Sequence, residues 1–561
     1  MLIIKKLIAD KKRIGLVISI ALIIIGLIPL INYVFYADAK HPYKIKQVTL
    51  ESRDGTMIEA LVYKPRGKSE EGIVVGHGYC GNKQYMQGLS IELVKRGFTV
   101  VNIDFRGHGS SDGYLLASDD KNRYDGLVQD MEAAIDYLED LDDIKKFGVV
   151  GHSMGGHTAV ETAEDNTDKI DAVVSIGHIP NEDYYNFSLV PNVLVGIGQF
   201  EQTMTKKDAL EFLEDYTGKD SVKIGKLYGD FDDKDACKVV IGTGSEHLAG
   251  VLNPKIIEEM VKWFELAFND KEVDNIHMTF RNLQLSYIIT LIGVISLLFV
   301  ILIYLSNYIF KREFVYPEKE ILNQDISIKK LSMYYVISMF IGVIISLPLM
   351  VVFTSLIPIS SGNSLFALLV GFAIGMLLIY YLLILRKENL GIKKITLKFK
   401  DMCSTNLKKS LMYGALTGLL FTASISVVSH WSTQATIPTL REILIMLWMI
   451  ILFFPFLMVK EFYLRMIQGR LNESKRLKEY LKMTGIAIFI DNIFWVPIML
   501  LLWGSDFLAL ALTVVILISV IHQILVTWVY MHSGRNILGS TLFLCIFYSW
   551  MIINFFPFGF N

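Results

Sequence analysis

Cysteine is scarce. The 561 residues carry four, Cys80, Cys237, Cys403 and Cys545, and their spacing makes no metal site. Cys403 and Cys545 fall in membrane-like sequence. That leaves Cys80 and Cys237 as the one pair with access to an oxidising compartment, and one pair is no disulfide framework. An excess of one charge is missing as well. Against 54 Lys and Arg stand 56 Asp and Glu, a net charge of −2, which argues against nucleic acid as a partner. No internal repeat stands out. The chain is rich in apolar side chains, 52% of the total, and they are unevenly spread. Residues 38–281 read as an ordinary soluble domain and most of the remainder as membrane.

The N-terminal segment carries Lys5, Lys6, Lys11, Lys12 and Arg13, then runs apolar from Ile14 to Phe35 with Pro29 as its only breaker. About 20 apolar residues cross a hydrocarbon layer of about 30 Å. Ala37-Asp38-Ala39 has the small-x-small pattern of a signal cleavage site, but the run is longer than a signal core, so a retained anchor is expected. Eight more apolar runs follow, at about 284–310, 332–358, 364–385, 410–430, 440–459, 484–503, 507–531 and 539–557. The links 311–330, 386–409 and 460–482 are rich in Lys and Arg. Links 359–363 and 504–506 have neither, and link 431–441 has Arg441 alone. With the basic N-terminus in the cytoplasm, every basic link also falls inside. The expected division is an anchor over residues 1–36, an extracytoplasmic domain over 37–281 and a membrane domain of about eight helices over 282–561. The lipid bilayer is thus a partner. A composition rich in Ile and Lys points to a bacterial type of plasma membrane.

Residues 46–64 read as a hairpin around Asp54-Gly55. Strands at 73–75, 98–103, 147–150, 172–176, 193–197 and 239–241 then alternate with helices at 84–96, 123–141, 206–216 and 254–268. This alternation implies an α/β fold, a mainly parallel sheet covered on both faces. The strand at 147–150 runs into Gly151-His152-Ser153-Met154-Gly155-Gly156 and an Ala-rich helix. Glycines two residues either side of Ser153 permit a very tight strand-to-helix turn that throws the hydroxyl clear of the sheet. The Met154 N–H then lies at a helix N-terminus, where it can face a developing oxyanion.

With Gly76-His77-Gly78-Tyr79 and Asp104-Phe105-Arg106-Gly107-His108-Gly109-Ser110-Ser111, these motifs resemble the α/β-hydrolase superfamily over about residues 44–269. The likeness is to its serine aminopeptidase-like and acylaminoacyl-peptidase-like branch. The resemblance implies a doubly wound sheet and a nucleophile, acid and histidine in that chain order. Ser153 takes the first role. Of His157, His178, His247 and His277, His247 holds the family's position, in a loop before the last helix. The family's acid is an aspartate three residues after a strand-end glycine. Here Gly198-Gln199-Phe200-Glu201 puts Glu201 there, with Asp230, Asp232 and Asp233 as rivals. By resemblance Tyr79 N–H joins Met154 N–H as oxyanion donor, His77 and His108 fix loops, and His152 packs beside the nucleophile. No metal or organic cofactor is required.

Many relatives insert a helical lid after the strand near Ile176, yet only about fifteen residues, His178 to Asn192, intervene here. An open site facing the bilayer or the outer loops is expected, suited to a lipid- or wall-linked ester. In the membrane half Asp491 and His522 each sit about 12 Å from the inner face at 1.5 Å per residue. They could face one another as a proton or substrate path, or as interhelical glue. His430, Trp431 and Trp503 suit an interfacial belt. The expected function is a membrane-anchored serine hydrolase acting on an ester, thioester or amide. The alternative is a transport or sensor protein whose hydrolase-like domain only binds ligand.

Overall fold

The structure is a computed structural model that describes residues 2–35, 43–117, 120, 122–141, 143–273, 276–311, 326–385, 392–430, 437–471, 473–504 and 507–559. Ala37-Asp38-Ala39, Trp431 and most of the link 311–330 lie outside the described residues.

Helix α1 (Leu2–Phe35) leads to β1 (Tyr43–Glu51), β2 (Met57–Pro65), β3 (Glu71–Gly76), α2 (Gln87–Val94), β4 (Thr99–Ile103), α3 (Arg123–Glu139), β5 (Lys146–His152), α4 (Met154–Asp165), β6 (Ile170–Ile176), β7 (Val193–Phe200), α5 (Lys206–Thr217), β8 (Cys237–Glu246) and α6 (Pro254–Asn269). The eight strands form one sheet in the order β1-β2-β4-β3-β5-β6-β7-β8, antiparallel at β1-β2-β4 and parallel thereafter. The central strands carry unbroken apolar runs, Ile73–Val75, Val149–Val150 and Ala172–Val174, because helices cover them on both faces. Helix α6 buries Ile257, Met260, Trp263 and Phe264 along one stripe, each worth about 1.5–3 kcal/mol on leaving water. Asn253 caps its first turn and Pro254 needs no N–H there. The chain leaves β3 for β4 on one side and returns to β5 on the other. Between β3 and β5 lies the switch point at which α/β sheets open a crevice.

The rest is helical: α7 (Phe280–Phe310), α8 (Ile328–Val352), α9 (Gly362–Ile379), α10 (Ile392–Ser404), α11 (Leu407–Ser429), α12 (Leu440–Gly469), α13 (Arg476–Asn492), α14 (Trp495–Leu501), α15 (Phe507–His532) and α16 (Ile537–Phe555). Among the described residues seven helices are long and apolar enough to cross a bilayer, and α13 with α14, bent by 44° at their break, make an eighth when counted as one broken span. The Arg13–Pro29 part of α1 is apolar and lies along α7. A Cβ on Gly26 would fall 2.2 Å from Thr290 Oγ1, so only glycine lets these two helices approach so closely.

Two links differ from the sequence reading. The link 386–409 contains the amphipathic helix α10, and α12 continues to Gly469, so Lys460 belongs to a helix rather than a connection. Cys80 and Cys237 are not joined by a disulfide.

The two halves touch through the loops at one end of the helices. Phe558 N–H donates to Gly107 O at 2.7 Å and Leu115 N–H donates to Phe558 O at 2.8 Å. Gly504 N–H donates to Gln202 O at 2.9 Å. The Tyr79 hydroxyl lies 2.6 Å from Ser360 Oγ and 3.0 Å from Ser361 Oγ.

Candidate active site

Ser153 joins β5 to α4 with φ +53° and ψ −114°, a backbone state that side-chain-bearing residues rarely adopt. Its neighbours make this possible. A Cβ on Gly151 would lie 1.8 Å from Gly155 O, and one on Gly155 would lie 2.5 Å from His77 O. The two glycines let the turn close on itself and on the loop after β3. Ser153 N–H is anchored on Ile176 O at 2.7 Å, and the side chain is left partly exposed.

His247 follows β8 and is 2% exposed. Its Nε2 lies 2.9 Å from Ser153 Oγ, and its Nδ1 lies 2.6 Å from Glu201 Oε1. Glu201, at the end of β7, is 6% exposed. The same Oε1 accepts from Thr203 Oγ1 at 2.9 Å and from the N–H groups of Gln202 and Thr203 at 3.2 and 3.3 Å. Burial pushes the Glu201 carboxyl up, but the hydrogen bond and charge of His247, with Thr203, outweigh it and hold the group below the usual carboxylate range. Gln202 accepts from His247 N–H at 3.0 Å and so fixes the backbone that carries the imidazole. The rival acids Asp230, Asp232 and Asp233 are exposed in a loop of their own. Of the other histidines, His157 and His178 bond the Tyr185 hydroxyl at 2.5 and 3.2 Å, and His277 precedes α7.

The loop after β3 closes the site. Gly78 packs so closely that a Cβ there would be 3.2 Å from Ser153 Cβ, and Tyr79 is the next residue of the same loop. His77 Nδ1–H donates to Gly78 O at 2.8 Å while its Nε2 accepts from Phe105 N–H at 3.0 Å. That is a neutral ring, and burial, aided by His108, pushes its pKa down to about 3. His108 Nε2 lies 2.8 Å from Tyr79 O. His152 Nε2–H donates to His247 O at 3.0 Å, and burial and His247 push that ring down to about 3. Met154 opens α4, so its N–H belongs to a first turn without intrahelical acceptors.

Sequence reasoning missed the pairing of Lys83 with Asp104, and missed Lys460 beside the Asp491 and His522 it had singled out. Lys83 and Asp104 form a buried ion pair behind the loop. Asp104 also accepts from Lys83 N–H at 2.7 Å and Ser110 N–H at 2.9 Å. Nothing local in Gly81-Asn82-Lys83 signals this pair. In the membrane half, His522 Nε2 lies 3.7 Å from Asp491 Oδ2, and Lys460 Nζ stands at 3.1 Å from the same oxygen. Tyr335 and Gln523 donate to the Asp491 carboxylate at 2.5 and 2.7 Å, and Tyr548 lies 3.1 Å from His522 Nδ1. The helical period of α12 could have revealed Lys460 had it been followed past the apolar run.

A hydroxyl, an imidazole and a carboxylate thus meet in line at the switch point of a mixed sheet, on three separate loops. Residues 67–202 match the family model described as serine aminopeptidase, S33. The N-terminal domain is an α/β-hydrolase of that family. The hydrolase domain is similar to the uncharacterized protein YfhR of Escherichia coli K12, 27% identical over 136 residues that cover 22% of this chain and 45% of that protein. It is also similar to the sn-1-specific diacylglycerol lipase ABHD11 of Danio rerio, 30% identical over 121 residues, 21% of this chain and 35% of that protein. The chain spans about half the length, or less, of these curated relatives. Among solved structures, the Pyrococcus furiosus esterase Pf2001 is similar at 18% identity, covering 40% of this chain and 92% of that one, with a TM-score of 0.32. The domain is fused to a bundle of long apolar helices, which makes the chain a multi-pass membrane protein.

Proposed function

We propose that the chain is a membrane-anchored serine hydrolase that cleaves an ester, thioester or amide outside the cytoplasm through an acyl-enzyme. The observation that carries this reading is the unbroken contact from Ser153 Oγ to His247 Nε2 and from His247 Nδ1 to Glu201, at 2.9 and 2.6 Å. In the proposed reaction Ser153 Oγ attacks the acyl carbonyl while its proton passes to His247 Nε2. Glu201 holds Nδ1–H, which fixes the tautomer, and its charge stabilises the imidazolium. Tyr79 and Met154 N–H groups receive the oxyanion. His247 returns its proton to the leaving alcohol, thiol or amine. Water, deprotonated by the same nitrogen, then attacks the acyl-serine, and the carboxylic acid leaves. The extracytoplasmic placement rests on the distribution of Lys and Arg among the links.

A fluorophosphonate probe tests the reading on the full chain in detergent. Labelling that disappears in Ser153→Ala is expected, and folded wild-type protein that takes no label would refute it. A membrane-impermeant fluorophosphonate applied to sealed cells should label equally well, and labelling only after lysis would overturn the orientation.

A further inference from the structure

Arg123 opens α3 and reaches toward the site. Its Nη2 lies 4.0 Å from Met154 Sδ, and its guanidinium carbon lies 5.5 Å from the centre of the Tyr79 ring. These are the two residues whose N–H groups receive the oxyanion in the proposed reaction. Among the described residues Arg123 makes no ion pair, and its Nε is buried without an acceptor. Glu161, on the facing helix α4, makes no ion pair with it and lies 3.4 Å from His157 Nε2. Two other arginines of this domain are paired: Arg106 binds Asp54 and Asp130, and Arg53 binds Glu132. A guanidinium whose inner nitrogen is dry and unpaired holds an unmet demand for an anionic oxygen, and its planar fork suits phosphate or carboxylate.

We propose that Arg123 is the anion subsite of this active site and that the substrate is an acyl ester carrying a negative group close to the scissile carbonyl, drawn from the bilayer as an anionic lipid. This rests on the hydrolase reading. The lipid source follows from what surrounds the same Tyr79 ring. Its hydroxyl is held by Ser360 and Ser361, and Phe556 packs edge-on against it with centroids 6.3 Å apart, so the wall that Arg123 covers is continuous with the ends of the membrane helices. A charged headgroup on Arg123 would leave the acyl chains pointing toward those helices.

The test is protection of full-length protein in neutral detergent against fluorophosphonate labelling by three competitors: 1-oleoylglycerol, 1-oleoylglycerol 3-phosphate and glycerol 3-phosphate. Wild type should be half-protected by the oleoyl phosphate at a concentration at least about tenfold below that of the neutral oleoyl compound, the order expected for one charge-assisted contact. In Arg123→Gln the ratio should collapse toward one, and Arg123→Lys, which keeps the charge, should retain most of it. A purely structural Arg123 would move all three competitors together in both variants and leave the ratio standing. Equal protection by the two oleoyl compounds in wild type, or an unchanged ratio in Arg123→Gln, overturns the anion subsite. Protection by glycerol 3-phosphate at the concentration of the oleoyl phosphate overturns the lipid source. A wild-type protein that takes no label takes down the hydrolase reading itself, a result distinct from labelling without discrimination.

Discussion

Replacing Glu201 by Gln is the sharpest perturbation of the site. The side chains are nearly isosteric, and all four donors that reach Glu201 converge on Oε1, which an amide oxygen can replace. What disappears is the negative charge facing the imidazolium. With charge centres about 4 Å apart and an effective dielectric of about 20, that interaction is about 4 kcal/mol. In the proposed reaction it acts only once His247 carries the serine proton, so it is a loss in the transition state, about a thousandfold in turnover. KM should stay within about twofold, since Glu201 does not touch substrate in the proposed reaction. The assay is steady-state hydrolysis of a 4-nitrophenyl ester by wild type and Glu201→Gln, with circular dichroism to establish that both are folded. A variant turning over within about fivefold of wild type would refute the assignment and return Asp230, Asp232 and Asp233 to consideration.

Four further outcomes are expected. Gly151→Ala places a Cβ 1.8 Å from Gly155 O, so it should cut fluorophosphonate labelling of Ser153 by more than about a hundredfold, the order seen when an active-site group is misplaced. His77 and His152 stay neutral in the native state down to about pH 3, whereas the unfolded chain protonates them near pH 6.5. The unfolded state therefore binds more protons as pH falls, and stability should drop below about pH 6.5 by about 1.4 kcal/mol per pH unit for each ring, readable as a falling urea midpoint. Lys83→Met strands the buried Asp104 carboxylate and should cost about 3–5 kcal/mol, and the double variant with Asp104→Asn should recover part of it in thermal melts. Lys460→Met likewise removes the cation beside Asp491. A melting temperature unchanged in Lys460→Met would show that this ion pair contributes nothing to the bundle.

Much of the architecture was legible because it is written locally. The alternation of 3.6-residue and two-residue periods marks the strands and helices of the α/β domain. Apolar runs mark eight later spans, and Gly151-His152-Ser153-Met154-Gly155 prescribes its own turn. His247 is singled out by its place before the last helix, and Glu201 by its spacing from Gly198, although neither spacing excludes the Asp230 loop. What stayed hidden depends on contacts between distant positions. Asp104 gives no sign that Lys83 will neutralise it, because the loops after β3 and β4 meet only in the folded sheet. Lys460 sits where an apolar run meets charged sequence and reads as the start of a connection. Only the continued helix turns it onto Asp491. The anchoring of Tyr79 by Ser360 and Ser361 joins residues some 281 positions apart, beyond any periodicity.

That last anchoring bears on how the chain can be handled. Tyr79, Gln202 and the Gly107–Leu115 segment each spend hydrogen-bonding capacity on partners beyond residue 350. A trimmed version ending near Asn269 would keep every residue of the triad yet lose the scaffolding of the loops around it, at about 0.5–1.5 kcal/mol for each missing bond. Weak turnover by such a fragment would report on the amputation rather than on the proposed activity.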